Sequence, residues 1–151
     1  MTVIAYDGNT CAVDSGAASE TTMLRVRKFW TRGDELITGA GVSPHVVALA
    51  EWYLAGARLE EFPPAVLYKQ DAELVVFNGK TVRRFEASPF AVDHGNTMCA
   101  FGGGRDFAYG ALACGAPATQ AAEIACQFSP ACAGPVYTFY WHDGEVHHVG
   151  G

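Results

Sequence analysis

The chain has 151 residues, 50% of them hydrophobic, and a formal net charge of −6. This length and apolar fraction predict one domain, spanning residues 1–151, with a full hydrophobic core. The acidic balance argues against a nucleic-acid-binding protein, which normally presents a basic face. No apolar run approaches the length of a membrane span and no signal peptide is visible, so we expect no membrane partner and a cytoplasmic location.

The first predicted elements form a hairpin near the N-terminus. Two apolar runs, Thr2–Tyr6 and Thr10–Asp14, flank the turn signal Asp7-Gly8-Asn9. A three-residue loop centred on Gly8 would put Asp14 opposite Thr2, whereas a two-residue turn would move the register by one. Whether Asp14 lies directly beside Thr2 therefore depends on the length of the turn.

A second hairpin and a helix follow. The hairpin pairs Leu24–Trp30 with Glu35–Thr38 across a turn that contains Gly33. The helix begins at Ser43-Pro44, with Ser43 as N-cap and Pro44 at the first helical position. Its apolar face repeats at helical spacing and consists of Val46, Leu49, Ala50, Tyr53 and Ala57.

The middle of the chain returns to strands, which the pattern predicts at Ala65–Lys69, Leu74–Asn78, Thr81–Phe85, Phe90–Val92 and Met98–Phe101. Asn78-Gly79 is the clearest hairpin turn of the sequence. Two helices come next, Arg105–Cys114 ending at Gly115 and a second one opened by Pro117. The buried face of the second helix is predicted at Ala121, Ile124, Ala125 and Phe128.

A last hairpin closes the chain, with Val136–Trp141 and Val146–Val149 flanking His142-Asp143-Gly144. The order of elements is strands, helix, strands, two helices, strands. Helices separated by runs of antiparallel hairpins predict an α+β fold in which two sheets pack together with helices outside.

Cysteine and histidine positions indicate neither disulfides nor a metal site. The cysteines form no C-x-x-C pair, are odd in number, and fit reduced thiols in a reducing compartment; they are Cys11, Cys99, Cys114, Cys126 and Cys132. His142, His147 and His148 match no zinc-ligand spacing. We therefore expect no metal and no cofactor.

The strongest chemical signal is the start of the chain, Met1-Thr2. If Met1 is removed, Thr2 carries both a hydroxyl and an α-amine whose ordinary pKa is about 7.7–8.0. An N-terminal amine can serve as the base for a threonine nucleophile. Many proteins begin with Met-Thr, so this feature counts only together with the residues that follow at matching spacing.

Three further positions supply what a threonine nucleophile needs. Asp14 ends an apolar strand, and Lys28 lies fourteen residues further along the chain. Gly39-Ala40-Gly41 ends a strand just before the helix start, where backbone N–H groups can point outward. A cation eases loss of the hydroxyl proton, a carboxylate can hold the cation, and an N–H group can stabilise the oxyanion.

These motifs resemble the proteasome β-subunit and HslV peptidases, members of the N-terminal-nucleophile (Ntn) hydrolases. The similarity is greatest to short HslV-like proteins of bacteria and their phages. It covers most of the chain, and its segments fall in the family order: Thr2-Val3-Ile4-Ala5-Tyr6, Ala12-Val13-Asp14-Ser15, Lys28-Phe29-Trp30, Gly39-Ala40-Gly41, Gly102-Gly103-Gly104 and Gly134-Pro135-Val136. No one motif is specific; the combination carries the resemblance.

The resemblance implies a four-layer αββα sandwich and a set of roles. Thr2 would be the nucleophile after removal of Met1, Lys28 would bridge Thr2 and Asp14, and Asp14 would hold Lys28. The Gly39 N–H would be the oxyanion donor, and the substrate peptide would lie as an added strand beside Gly39–Gly41. The implied partners are peptide or unfolded protein substrates, other copies of the chain in a homo-oligomeric ring, and an ATP-dependent unfoldase.

Arg25 is the competitor for the position of Lys28. In an alternating strand Arg25 and Arg27 share one side, while Lys28 points to the other side together with Val26 and Trp30. A guanidinium stays protonated and is a poor proton acceptor. The alternation favours Lys28.

Some positions depart from the family pattern and support alternatives. Gly103 stands where the family usually has Ser, and Ser129 and Cys132 stand where it often has Asp and Ser or Thr. A retained Met1 would block the Thr2 amine. The alternative to a threonine peptidase is thus a catalytically degenerate subunit that acts as a binding or structural scaffold. A third, weaker option is an Ntn amidase acting on a small amide in a closed pocket.

Overall fold

The computed structural model describes residues 1–18, 20–64 and 72–150. The strands are β1 (Ile4–Tyr6), β2 (Thr10–Val13), β3 (Gly16–Ala18), β4 (Met23–Arg25), β5 (Phe29–Arg32), β6 (Glu35–Gly41), β7 (Ala72–Phe77), β8 (Val82–Phe85), β9 (Val92–Asp93), β10 (Cys99–Phe101), β11 (Tyr137–His142) and β12 (Glu145–Gly150). The helices are α1 (Ser43–Leu54), α2 (Arg105–Ala113) and α3 (Ala118–Phe128), with a 3-10 turn at Leu59–Glu61. The predicted strand Ala65–Lys69 lies outside the described residues.

Two five-stranded antiparallel sheets dominate the architecture. The first sheet has the order β10-β1-β2-β11-β12 and the second has the order β5-β6-β7-β8-β9. A separate two-stranded sheet pairs β3 with β4. The predicted α+β class with antiparallel sheets is confirmed. Across the described ranges, no helix is long and apolar enough to cross a membrane.

Three buried clusters hold these elements together. The sheet–sheet cluster joins the facing sides of the two sheets, with Tyr6 and Phe139 from the first sheet against Phe77 from the second. The opposite face of the first sheet packs against α2 and α3, largely through alanines. The opposite face of the second sheet packs against α1, where Leu49 meets Ile37. The central strands β1, β2, β6 and β7 are thus buried on both faces, which explains their near-continuous apolar sequences.

The N-terminal hairpin uses the tighter of the two turns considered. Ile4 pairs with Val13 and Tyr6 with Cys11, so the expected register that placed Asp14 opposite Thr2 is wrong by one residue. Asp14 lies opposite Val3, whose carbonyl accepts its N–H at 3.2 Å. A two-residue turn forms because the turn aspartate binds the backbone N–H groups that follow it.

The predicted strand Leu24–Trp30 is two strands. Its first part, β4, pairs with β3 in the two-stranded sheet, and its second part, β5, pairs with β6. Lys28 therefore lies in the segment between two strands. The side-chain alternation of a continuous strand, which favoured Lys28 over Arg25, is not present there. The hairpin of β5 and β6 itself is present, with Arg32 paired to Glu35.

The helix predictions need two corrections. Val42 is the N-cap of α1, Ser43 is its first residue, and no side chain caps the N–H groups. In α3 the buried face consists of Ala118, Ala121, Ala122 and Ala125. Phe128, predicted to be buried, is 61% exposed. The alanines allow α3 to pack closely on the first sheet, and this contact takes precedence over the larger side chains.

Asp7 connects the N-terminal turn to α3. Its carboxylate accepts hydrogen bonds from the N–H groups of Asn9 at 2.8 Å, Thr10 at 2.7 Å and Ala118 at 2.9 Å, and from the Thr10 hydroxyl at 2.7 Å. Burial raises the pKa of this carboxyl, but the hydrogen bonds from Thr10, Ala118 and Asn9 outweigh it and leave the pKa below its ordinary value. The ionised Asp7 is thus favoured by folding.

We expect Asp7→Asn to lower the free energy of unfolding by about 1 kcal/mol at pH 7, as loss of a helix-capping carboxylate does. Because the folded pKa is lowered, this contribution is present above the unfolded pKa of about 3.9 and is lost as the pH falls through the folded pKa. Urea unfolding of both proteins at pH 7 and pH 3 measures it. The difference should shrink at pH 3, whereas Glu123→Gln, at an exposed α3 position, should show little effect at either pH.

Candidate active site

Asp14 is a buried carboxylate at the end of β2. The residue is 1% exposed. Its oxygens accept the N–H of Val3 at 3.1 Å and the N–H of Ala133 at 3.1 Å, and Lys28 Nζ lies 3.0 and 3.1 Å from the two oxygens. A buried charge persists only when it is paired and hydrogen-bonded. Asp14 meets both conditions and fixes one end of Lys28.

Lys28 lies between this carboxylate and the hydroxyl of Thr2. Its side chain is 11% exposed, and Nζ lies 3.4 Å from Thr2 Oγ1 and 2.5 Å from the Met1 carbonyl oxygen. Its backbone is held from the other side, because the Thr38 hydroxyl donates to the Lys28 carbonyl at 2.7 Å. Lys28 is thus fixed at both its backbone and its ammonium group.

Thr2 precedes β1 and is 6% exposed. Its hydroxyl donates to the Met1 carbonyl at 2.7 Å, and its own carbonyl accepts the N–H of Gly104 at 3.1 Å. While Met1 is attached, the Thr2 nitrogen is an amide and offers no free lone pair. Removal of Met1 takes away the carbonyl that Thr2 Oγ1 and Lys28 Nζ now share, and creates an amine at the same location.

The basic neighbours of Lys28 point elsewhere. Arg25 pairs with Gly16 in the two-stranded sheet and is exposed. The Arg27 guanidinium lies 4.5 Å from the centre of the Phe29 ring. Among the basic side chains in the described ranges, Lys28 is the one that contacts Asp14 or Thr2.

Gly39 and Gly41 lie on β6. The ladder between β5 and β6 ends at the pair Phe29–Thr38, so Gly39 continues β6 at the level of Lys28. A side chain at Gly39 is excluded, since a Cβ would lie 2.4 Å from the Glu73 carbonyl and 2.7 Å from Val46 Cγ1. Gly41 has a positive φ of 114°, which favours glycine.

The β6 segment Gly39–Gly41 is an open strand edge. On one side it pairs with β7, through Leu74, Glu73 and Ala72. On the other side β5 has already ended, and no strand of the described residues takes its place. An unpaired edge of this kind can accept an extended peptide by main-chain hydrogen bonding.

Sequence reasoning did not anticipate that Gly102 and Gly104 contact Thr2 directly. A Cβ at Gly102 would lie 2.3 Å from the Thr2 carbonyl oxygen, and Gly102 has a φ of +90°. Gly104 binds the same oxygen through its N–H. The signal was the run of three glycines between β10 and α2, which indicates a close approach of backbone.

We expect Gly102→Ala to disturb the candidate site without abolishing the fold. The positive φ costs an alanine about 1–2 kcal/mol, and the clash with the Thr2 carbonyl must push Thr2 out of place. Gly110→Ala is the matched control, because Gly110 lies in α2 with nothing within 4 Å of a Cβ. Thermal unfolding should show a loss for Gly102→Ala and a neutral or stabilising effect for Gly110→Ala.

The positions that depart from the family pattern also lie near this site. Ser129 and Cys132 are 8% and 3% exposed, and the Ser129 hydroxyl accepts the N–H of Ala131 at 3.1 Å. A Cβ at Gly104 would lie 2.7 Å from Cys132 Sγ, so Cys132 packs on the glycine turn. Gly103 is exposed, and a Cβ there would lie 2.7 Å from Ala131 Cβ.

No metal site accompanies this arrangement: in the ranges that the structure describes, no three His, Cys, Asp or Glu side chains come close enough to hold an ion. His142 and His147 lie on the hairpin of β11 and β12, where the His147 ring stacks on Tyr140. What the arrangement offers chemically is a hydroxyl beside an ammonium group that a buried carboxylate holds, with an open strand edge alongside.

Comparison with solved structures identifies the fold. HslV from Trypanosoma brucei superposes with a TM-score of 0.65 at 17% identity, covering 93% of this chain and 99% of that chain. BPH from Thiobacillus denitrificans gives a TM-score of 0.66 at 19% identity, covering 94% of this chain and 98% of that chain. The complex of BPH with epoxomicin gives 0.64 at 14% identity, covering 93% and 97%.

No protein-family model matches the sequence, and no curated protein matches it either. The similarity thus lies in the backbone arrangement over nearly the whole chain. The resemblance inferred from the sequence motifs is confirmed at this level, and the chain has the fold of the HslV-like proteasome β-subunits.

Proposed function

We propose that the chain is a threonine peptidase subunit of the proteasome/HslV type, which hydrolyses peptide bonds through Thr2 after removal of Met1. One observation carries the proposal. Lys28 Nζ lies between both oxygens of the buried Asp14 carboxylate and the hydroxyl of Thr2, at 3.0, 3.1 and 3.4 Å. If Lys28 served only to neutralise Asp14, its ammonium group would not need to lie beside the Thr2 hydroxyl.

The proposed reaction begins at the Thr2 hydroxyl. The Thr2 amine accepts the hydroxyl proton, and the ammonium of Lys28 favours the alkoxide that develops on Oγ1. Oγ1 attacks the substrate carbonyl, and the Gly39 N–H donates to the oxyanion. The peptide amine leaves with the proton, and water hydrolyses the acyl-enzyme. Loss of one oxyanion donor usually costs about 10²–10³ in rate.

Removal of Met1 is the activating step in this proposal. The Met1 carbonyl oxygen accepts hydrogen bonds from both Thr2 Oγ1 and Lys28 Nζ. These are the two groups that the reaction needs. The side chain of Thr2 is small, which suits removal of the initiator methionine. The chain with Met1 attached is then an inactive precursor.

The architecture suits this function. We infer that α2 and α3, the first sheet, the second sheet and α1 form the four layers of an αββα sandwich, because the three buried clusters join them in that order. We also infer that residues 1–151 act as a single domain. The open edge Gly39–Gly41 would bind the substrate as an added strand. Such an edge suits a peptidase, which binds an extended chain, better than an amidase, which needs a closed pocket.

The proposed partners follow from the fold neighbours. We infer a homo-oligomeric ring, peptide or unfolded protein substrates and an ATP-dependent unfoldase, in the cytoplasm. Apolar side chains on the β3–β4 hairpin are available for contacts between copies, since Met23 and Leu24 are 50% and 51% exposed. The degenerate scaffold is less well supported, because it leaves the contact of Lys28 with Thr2 without a purpose.

Hydrolysis of peptides tests the proposal. The protein with Thr2 as its first residue should cleave short fluorogenic peptides and an unstructured protein, whereas protein that retains Met1 should cleave neither. Cleavage of small amides without peptides would support an Ntn amidase. A mature N-terminus with no hydrolysis of either substrate class, in the assembled oligomer, would favour the scaffold.

A further inference from the structure

Arg105 is a basic side chain beside the glycine turn of the candidate site. It is the first residue of α2, and its Nη1 donates to the Gly102 carbonyl at 3.1 Å. Gly102 itself touches Thr2, since a Cβ there would lie 2.3 Å from the Thr2 carbonyl oxygen and 3.3 Å from Thr2 Cβ. The guanidinium is thus tied to the residue that packs on the proposed nucleophile, while Arg105 remains exposed to solvent.

The guanidinium of Arg105 has N–H groups that bind nothing in the protein. A guanidinium carries several N–H donors in a fork that matches the two oxygens of a carboxylate, and contacts within the described ranges use Nη1 alone. No carboxylate of the described residues lies within ion-pair distance of it. Asp106 follows it on α2 and is exposed, but adjacent helix positions do not face each other. Arg105 can therefore bind a carboxylate from outside the chain.

Stability does not account for a cation at this position. The first turn of a helix is electropositive because of the helix dipole, so a basic side chain is disfavoured there and an acidic one is favoured. The Gly102 carbonyl that binds Nη1 also accepts the backbone N–H of Arg105 at 3.1 Å, so the turn closes without the side chain. A ligand that needs a cation beside the glycine turn explains Arg105 better than the fold does.

Other cations without an ion pair adjoin the same site. Within the ranges that the structure describes, the Lys and Arg residues that form no ion pair are Arg25, Arg27, Lys80 and Arg105. Arg25 and Arg27 belong to the segment that leads to Lys28. The chain as a whole has a net charge of −6, so overall composition does not explain these cations. A positive region in an acidic protein attracts anionic substrates.

The carboxylates around the site are already paired. Glu73 lies opposite Ala40 of the open edge, and its carboxylate lies 3.5 Å from Arg84. Burial raises the pKa of Glu73, although Arg84 lowers it in part. Asp14 is held by Lys28. Neither carboxylate therefore offers much repulsion to an anionic substrate.

We propose that Arg105 is a specificity residue, which binds a carboxylate on the part of the substrate that leaves with the amine. This preference rests on the proposed function, in which the acyl part of the peptide occupies the edge Gly39–Gly41 of the second sheet. The leaving part then passes over the glycine turn, which follows β10 of the first sheet. The carboxylate is the side chain of an acidic residue or, in a short peptide, the free C-terminus. The expected substrates are therefore acidic peptides.

Matched peptides test this preference. Internally quenched peptides with Glu at successive positions after the cleaved bond are compared with the same peptides carrying Gln. Mature protein should show a kcat/KM about 5-fold higher for the best Glu peptide, the size expected of an exposed charge pair, and the difference should lie mainly in KM. Arg105→Gln should bring this ratio close to one, and Arg105→Glu should favour a Lys peptide. A ratio that Arg105→Gln leaves unchanged would overturn the proposal.

Arg25→Gln is the matched control, because Arg25 is also exposed and unpaired but lies on the two-stranded sheet. It should keep the ratio of the natural chain, and thermal unfolding should show that both variants are folded. Peptides that end in a free acid or an amide, without acidic side chains, separate the two sources of the carboxylate. A preference for Glu assigns the side chain, a preference for the free acid assigns the C-terminus, and the absence of both would overturn the proposal.

Binding measurements separate a failure of this proposal from a failure of the proposed function. Thr2→Ala protein should bind a fluorescent Glu peptide about 5-fold more tightly than the Gln peptide, as measured by anisotropy. This difference should shrink at high salt and disappear when Arg105→Gln is added. If the natural chain hydrolyses no peptide, the proposed function fails, and these affinities still decide whether Arg105 binds carboxylates. Equal affinities for the two peptides would overturn the role of Arg105.

Discussion

Thr2→Ala should abolish peptide hydrolysis while the protein remains folded. The change removes the only atom proposed to form the acyl-enzyme, and deletion of a nucleophile costs on the order of 10⁶-fold in comparable hydrolases. The α-amine remains, since alanine also permits removal of Met1. The Thr2 hydroxyl contacts Met1 and Lys28 in the structure, so its loss should cost less than about 1 kcal/mol of stability.

Thr2→Ser is the matched control, because serine keeps both the hydroxyl and the α-amine on one residue. It should retain measurable hydrolysis and react with a peptide epoxyketone, whereas Thr2→Ala should do neither. Thermal unfolding of all three proteins separates chemistry from folding. Hydrolysis by Thr2→Ala at a rate close to that of the natural chain would contradict the assignment of the nucleophile.

Lys28→Ala should have the second largest effect, on both activity and stability. We expect hydrolysis to fall by about 10²–10⁴-fold, because the ammonium no longer eases loss of the Thr2 proton. The buried Asp14 carboxylate would lose its ion pair, and breaking a buried pair costs about 3–5 kcal/mol. Peptide hydrolysis and urea unfolding measure the two effects separately.

A double variant separates the two roles of Lys28. Asp14→Asn combined with Lys28→Met removes both charges, so it should recover much of the stability lost by Lys28→Ala but none of the activity. Arg25→Ala is the basic-residue control, since Arg25 is exposed and lies in the two-stranded sheet, and it should leave both quantities nearly unchanged. Full activity of the folded double variant would contradict the role proposed for Lys28.

Local patterns predicted most elements of the fold, because hairpin turns and helix ends are short-range signals. The turn at Asn78-Gly79 is present, with Asn78 accepting the N–H groups of Lys80 and Thr81. The end of α2 before Gly115, which has a φ of +92°, is present as well. These features depend on a few neighbouring residues and could be predicted from them.

The errors arose where distant contacts decide the structure. The carboxylate of Asp7 binds the α3 N-terminus through Ala118 and also tightens the turn, which set a register that the turn sequence left open. The strand Gly16–Ala18 has no sequence signal, yet it pairs with β4 and interrupts the predicted strand before Lys28. Neither contact can be read from local periodicity.

In the candidate site, too, the side chains could be predicted from the sequence and the backbone contacts could not. Thr2, Asp14 and Lys28 could be selected from the sequence because the resemblance to HslV-like peptidases assigns each of them a role in the proposed chemistry. Gly102 and Ala133 act through their backbones, on Thr2 and on Asp14. Contacts between backbone groups that are about a hundred residues apart in the sequence leave no side-chain pattern. The sequence therefore indicated only that the glycine turn lies close to another part of the backbone.

In the proposed mechanism Thr2 becomes an N-terminal nucleophile, and intact-mass spectrometry can detect this change on the protein itself. The purified protein is weighed before and after incubation with a peptide epoxyketone such as epoxomicin, which reacts with a hydroxyl and a free α-amine on the same residue. We expect a mass that lacks Met1 and a single adduct, which is absent in Thr2→Ala. A chain that lacks Met1 and forms no adduct would contradict it.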